Sequence, residues 1–176
     1  ALTGCAGRRR NYIASFRMES EDLEAFNLHL QEKLAAITAN EVRTKEYLLD
    51  DAELVVVGFG TAGRIALNAV KAARQQGIRV GLLRPITLSP FPHQVIEQLA
   101  GHTSAFLVTE MNSGQMLEDV RLAVKGRAPI EFYGRMGGVV PFPDEILHEI
   151  QRMAAGPLSV DSNPRDEWYE RMMAAR

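Results

Sequence analysis

Gly58-Phe59-Gly60-Thr61-Ala62-Gly63 is the stretch whose residue types and spacing speak most directly of chemistry. Gly58, Gly60 and Gly63 match the G-x-G-x-x-G fingerprint of dinucleotide-binding folds. Glycines let a backbone approach a pyrophosphate, and the unpaired N–H groups of a helix N-terminus can receive it. Arg84, near the end of the next apolar run, would suit the 2′-phosphate of NADP better than the ribose of NAD. A plainer reading stands beside this one. Any tight strand-to-helix turn favours glycine for its φ freedom and close packing. Pro85 follows Arg84 at once and draws the chain out in an extended conformation. No second nucleotide-binding half follows. The alternative of an NAD(P)-binding module on Gly58, Gly60, Gly63 and Arg84 is therefore ranked second.

Two further clusters could form contacts. Glu110, Asn112 and Gln115 lie where a third apolar run meets a helical pattern. They could cap that helix, bond across an interface, or do both. Arg135 precedes Met136-Gly137-Gly138 and could grip a carboxylate or phosphate, or simply be solvated. His29, His93, His102 and His148 are scattered without ligand spacing. Cys5 is the one cysteine, so no internal disulfide or cysteine-bound metal or cluster is expected. It suits a reducing cytoplasm. No Ser-His-Asp arrangement or G-x-S-x-G elbow occurs. The expectation is no catalytic residue and no metal ligand in this chain.

The elements that must position these residues follow from periodicity. Leu54–Gly58 is a β-branched run, and similar runs recur near 79–83, 104–109 and 129–133. Helical patterns lie between them, carried by Ile65, Ala69 and Val70, by Val95, Ile96 and Leu99, and by Met116, Val120 and Ala123. Another opens at Pro143 and stops before Gly156-Pro157. This alternation predicts a three-layer, doubly wound α/β domain with a mostly parallel sheet over 53–155. Residues 1–52 read as a connector with a short strand at Asn11–Met18. A long helix follows, with the apolar stripe Leu23, Phe26, Leu30, Leu34 and Ile37. Residues 156–176 read as a linker and a last helix bearing Trp168. The stripe and the Trp168 tail are expected to offer apolar faces to a partner.

The 176 residues suit one domain with extensions, and 46% hydrophobic against 24% charged is a globular balance. A net charge of −2 gives no field for nucleic acid, and Arg8-Arg9-Arg10 reads as a local solvated run. No apolar run approaches the roughly 20 residues that span a membrane. No signal peptide is visible, and the lack of an initiator Met suggests a processed or truncated product.

Three motifs carry a resemblance. They are Leu54–Gly60 with Gly77–Pro92, Glu110–Gln115, and Tyr133–Gly138 with the Pro-flanked helix after it. Together they resemble the α subunits of 2-oxoacid:ferredoxin oxidoreductases, in their C-terminal, transketolase-C-like domain. The lead, with Ala1–Gly4 and Glu41-Val42-Arg43, looks like that of the branched-chain (2-oxoisovalerate, or 3-methyl-2-oxobutanoate) type. The resemblance implies oxidative decarboxylation of a 2-oxoacid to an acyl-CoA with reduction of ferredoxin. It implies thiamine diphosphate, Mg and iron–sulfur clusters in the complete complex, and other domains and subunits as partners. Coenzyme A and ferredoxin would be met through that complex. It implies a five-stranded sheet whose first strand is antiparallel, which Asn11–Met18 would supply. It gives this domain no cofactor ligand to carry over. The isolated chain is then expected to be inactive and to work by association, as a homodimer or docked, with Glu110, Asn112, Gln115 and Arg135 as polar contacts.

Overall fold

A computed structural model describes residues 4–10, 13 and 15–174. The chain divides into two compact units, Ala1–Ala39 and Asn40–Arg176.

The first unit holds most of helix α1 (Ser20–Glu41). Glu21 and Asp22 occupy its first turn, where acids favour the helix dipole. Arg17 lies over the Phe26 ring, 4.3 Å from its centroid. A helix forms where the spacing predicts one, and none of its residues is buried. The strand expected at Asn11–Met18 is not found. Residues 11, 12 and 14 lie outside the described residues, and 13 and 15–18 are not extended in a sheet.

The second unit is an α/β domain. Its strands are β1 (Thr44–Tyr47), β2 (Leu54–Gly58), β3 (Val80–Pro85), β4 (Ala105–Glu110) and β5 (Ile130–Gly134), in the order β1-β3-β2-β4-β5. β2, β3, β4 and β5 pair in parallel, and β1 pairs with β3 antiparallel, Thr44 opposite Pro85 and Tyr47 opposite Leu82. The antiparallel strand is thus Thr44–Tyr47 and not Asn11–Met18. It also carries β3 through Arg84 to Pro85, where the sequence suggested that the strand would already have ended.

Helices α2 (Gly60–Gln75), α3 (His93–Leu99), α4 (Met116–Val124) and α5 (Pro143–Ala155) complete the layers, α2 packing beside α5 and α3 beside α4. Helix α6 (Pro164–Ala174) lies against β5. The central strands are buried on both faces: Val55, Val57, Leu82, Phe106 and Leu107 are all at most 1% exposed. Continuous apolar runs of this kind have no solvent face to alternate with.

Two devices hold the β1 edge. The turn after β1 crosses Gly81 so closely that a Cβ there would lie 2.6 Å from the Leu48 carbonyl oxygen. Arg74 of α2 donates to Leu48 O (2.7 Å) and Val80 O (2.7 Å) and pairs with Asp51 (2.7 Å).

Candidate functional site at the carboxyl edge of the sheet

β2 sends its chain to one side of the sheet and β4 lies on the other, so the strand order reverses between them. Open α/β sheets bind ligands at such a switch point, outside the strand carboxyl ends. Gly58, Gly60, Gly63, Arg84, Glu110, Asn112, Gln115 and Arg135 all lie at or just beyond the strand carboxyl ends on this edge.

Gly58 and Gly63 face each other. A Cβ on Gly58 would lie 2.9 Å from Gly63 Cα and 3.1 Å from Thr109 Cγ2. The pair lets the first turn of α2 settle directly onto the end of β2. Gly60 has φ +56°, in the left-handed region, with open space around it. Packing and backbone conformation therefore account for all three glycines.

Arg84 passes beside the same turn, its Cγ 3.1 Å from where a Gly63 Cβ would stand, and its Nε is buried without a partner. Pairing aligns Gly58 with Thr109 and Thr109 with Tyr133, so these three share the face that α2 and α5 cover. Val57 pairs with Leu83, which puts Arg84 beside Gly58 on that face.

Glu110 is 6% exposed, and its carboxylate accepts hydrogen bonds from the backbone N–H of Met116 and of Leu117, both at 2.9 Å. It caps α4 from the preceding strand. Asn112 Oδ1 accepts from the N–H of Gly114 (2.7 Å) and Gln115 (3.0 Å), closing the turn. Gln115 is exposed. Arg135 is not solvated: it pairs with Glu145 of α5 at 2.7 Å, the two side chains each 26% exposed. Glu145 in turn accepts from Phe142 N–H at the start of α5 (2.7 Å). Burial and the neighbouring Glu145 carboxylate push the Tyr133 hydroxyl pKa well above its ordinary value.

The C-terminal helix supports both loops. Arg165 donates to Ser113 O (2.9 Å) and Gly114 O (2.8 Å) and pairs with Glu118 (2.7 Å). Trp168 is 3% exposed and donates from Nε1 to Gly134 O (3.1 Å). The sequence predicts for this tail an apolar face open to a partner. Its tryptophan is instead part of this domain's own core.

A charged network went unseen in the sequence. Glu131 and Glu149 are buried at 3% and 6%. Arg152 reaches Glu131 at 2.6 Å and Glu149 at 2.9 Å, and Arg171 of α6 lies 3.5 Å from each. Burial opposes the Arg152 charge, but the two carboxylates outweigh it and its pKa is raised. The only signal in the sequence was one glutamate inside the apolar run Ile130–Tyr133.

Around these anchored groups the edge is apolar. Phe59, Ile86, Leu88, Met111, Met136 and Phe142 are exposed, one or more in the loop after each parallel strand. At the opposite edge Leu48 and Val160 are exposed.

Among the described residues, no group of three or more His, Cys, Asp or Glu could hold a metal ion. With a single cysteine, Cys5, the donor set does not fit an iron–sulfur cluster, which takes about four thiolates. No helix among the described residues is long and apolar enough to cross a membrane.

Comparison with known proteins agrees with this architecture. Over 154 residues the chain is 46% identical to ketoisovalerate oxidoreductase subunit VorB of Methanothermobacter thermautotrophicus, covering 88% of this chain and 44% of that protein. It is 39% identical over 104 residues to 2-oxoglutarate synthase subunit KorA of Methanothermobacter marburgensis, 59% of this chain and 28% of that one. The chain thus spans less than half the length of these relatives. Among solved structures it superposes on 2-oxoglutarate:ferredoxin oxidoreductase from Magnetococcus marinus with TM-score 0.64 at 15% identity, over 77% of this chain and 24% of that one. A split-gene transketolase matches with TM-score 0.52 at 18% identity, over 62% and 40% of the two chains. These two likenesses concern the fold alone. Residues 52–146 match the family described as pyruvate:ferredoxin oxidoreductase core domain II, and the chain belongs to that family.

Proposed function

We propose that this chain is a non-catalytic association domain of a thiamine-diphosphate-dependent 2-oxoacid:ferredoxin oxidoreductase, of the kind that acts on a branched-chain 2-oxoacid. The substrate class rests on the 46% identity to a ketoisovalerate oxidoreductase subunit. The non-catalytic role rests on the carboxyl edge. Glu110 and Arg135 are already committed, Glu110 to α4 and Arg135 to Glu145, while the loops around them offer apolar side chains outward. A surface of that kind suits burial against another protein surface better than turnover of a small polar substrate.

The edge residues then divide the work. Glu110 and Arg135 hold the loops in shape. Gln115 and the Asn112 amide remain for polar contacts with the partner domain. Thiamine diphosphate supplies carbanion stabilisation in enzymes of this class. On this reading it, its Mg and the iron–sulfur clusters are held by other domains and subunits. Coenzyme A and ferredoxin engage the assembled complex.

The test is reconstitution. The purified chain is incubated with 2-oxoisovalerate, coenzyme A, thiamine diphosphate, Mg and a viologen acceptor, with and without the remaining subunits. No reduction by the chain alone, and recovery on adding the other subunits, is expected. Acceptor reduction by the chain alone overturns the reading.

A further inference from the structure

The N-terminus of α2 opens onto a pocket whose donors lack acceptors. α2 has 16 residues, and no side chain caps its start. Its first turn supplies one bond, from Gly63 N–H to Phe59 O at 3.2 Å. The N–H groups of Gly60, Thr61 and Ala62 therefore face outward, with the positive end of the helix dipole behind them. A cavity of about 320 Å³ lies there, lined by Phe59–Ala62 from one side and Thr109–Asn112 from the other.

An independent observation concerns Thr109. It lines this cavity, it is 0% exposed, and its Oγ1 has no hydrogen-bond partner. A buried hydroxyl in that state has no protein group to bond. On the other flank of Gly58, the buried Nε of Arg84 is also unpartnered. Lys45, whose Cα faces that of Arg84 across the β1–β3 pair, and Arg64, next to Gly63, add positive charge. Neither they nor Arg84 joins an ion pair among the described residues.

The carboxylate and amide oxygens that line the cavity are engaged elsewhere. Both Glu110 oxygens accept from α4, and Asn112 Oδ1 accepts from Gly114 and Gln115. What remains is a set of donors: three backbone N–H groups and the Thr109 and Thr61 hydroxyls. Donors, a helix N-terminus and unpaired cations together call for a ligand that is anionic and rich in acceptors.

We infer that this pocket binds a phosphate-type oxyanion, seated on the first turn of α2 with Thr109 donating to it and Arg84, across Gly58, adding positive charge. The anion is either free phosphate or the terminal phosphoryl group of a small molecule. This is a single-anion site and calls for no second nucleotide half.

The experiment titrates the 176-residue chain by calorimetry with sodium phosphate and, separately, with methyl phosphate, at ionic strength held constant with sodium chloride. Saturable one-to-one binding of phosphate is expected. Thr109→Val should weaken it about tenfold, the loss of one hydrogen bond to a charged partner, and Arg84→Gln by less, through the loss of its charge alone. Without phosphate, Thr109→Val should unfold at a urea midpoint no lower than the parent chain, since it removes a hydroxyl that bonds nothing. That readout separates a binding role from a structural one. Binding of both anions assigns a terminal phosphoryl group, and binding of phosphate alone assigns the free anion. Failure of phosphate to saturate, or unaltered affinity in Thr109→Val, overturns the inference. No 2-oxoacid or partner subunit enters the assay, so its result is independent of the association reading.

Discussion

Trp168 of α6 stands edge-on against Phe132 of β5, ring centroids 5.1 Å apart and planes 80° to one another. The contact joins residues 36 positions apart in sequence and ties the last helix to the last strand. With the Nε1 bond to Gly134 O, it makes α6 a working part of the domain and not an appendage.

Trp168→Ala should therefore destabilise the domain by about 3–5 kcal/mol, the usual cost of emptying a large aromatic site. Trp168→Phe keeps most of the packing and should lose roughly 1 kcal/mol through the unpaired Gly134 carbonyl. Urea unfolding followed by circular dichroism measures both. Equal midpoints for Trp168→Ala and the parent chain would show that α6 does not dock.

Gly63→Ala should cost about 1–3 kcal/mol by overpacking, because its methyl would press on the Gly58 carbonyl and Arg84 Cγ. Gly60→Ala meets open space and carries only the left-handed backbone penalty, about 1–2 kcal/mol. The two differ in repair. Removing the Arg84 side chain beyond Cβ should recover part of the Gly63→Ala loss and none of the Gly60→Ala loss. Equilibrium denaturation of the single and double variants decides it.

Arg152→Met leaves Glu131 and Glu149 buried with only the more distant Arg171 to answer them. A loss of roughly 1–3 kcal/mol is expected, from carboxylates deprived of a partner. Adding Glu131→Gln should relieve part of it by removing one of the two charges. A double variant that is less stable than Arg152→Met would refute this account of the network.

The Asp51–Arg74 pair predicts an acid-side signature. The Arg74 hydrogen bond holds the Asp51 carboxyl below its usual 3.8. A carboxyl depressed in the folded state stabilises above its unfolded pKa, and the contribution disappears as pH falls through the folded value. Lys125, by its hydrogen bond, depresses Glu97 from 4.5 in the same sense. Asp51→Asn should thus lower the urea midpoint at pH 6, and its difference from the parent chain should shrink steadily below about pH 4. A difference that stays constant down to pH 2.5 would count against the pair.

Local pattern alone determined a good deal of this protein. The apolar runs at Leu54, Val80, Ala105 and Ile130, each followed by a helical period, specify parallel strands with crossover helices. A run with no polar alternation has only buried faces to occupy, so the three-layer fold follows from the chain itself. The motifs around Gly58, Glu110 and Tyr133 likewise carry the family likeness in the sequence itself. Tertiary structure decided what depends on residues far apart in the chain. Thr44–Tyr47 has no apolar alternation of its own and becomes a strand only because the β3 edge offers it hydrogen-bond partners. Trp168 is core and not surface because Phe132 and Gly134 lie beneath it. Glu110 is a helix cap because α4 begins within reach of its oxygens, and Arg135 is an ion pair because α5 brings Glu145 to it. Thr109 and Arg84 flank one glycine because strand order, which no local period encodes, sets their strands on either side of β2. Periodicity states which faces must be hidden, and only close packing of distant segments states what hides them.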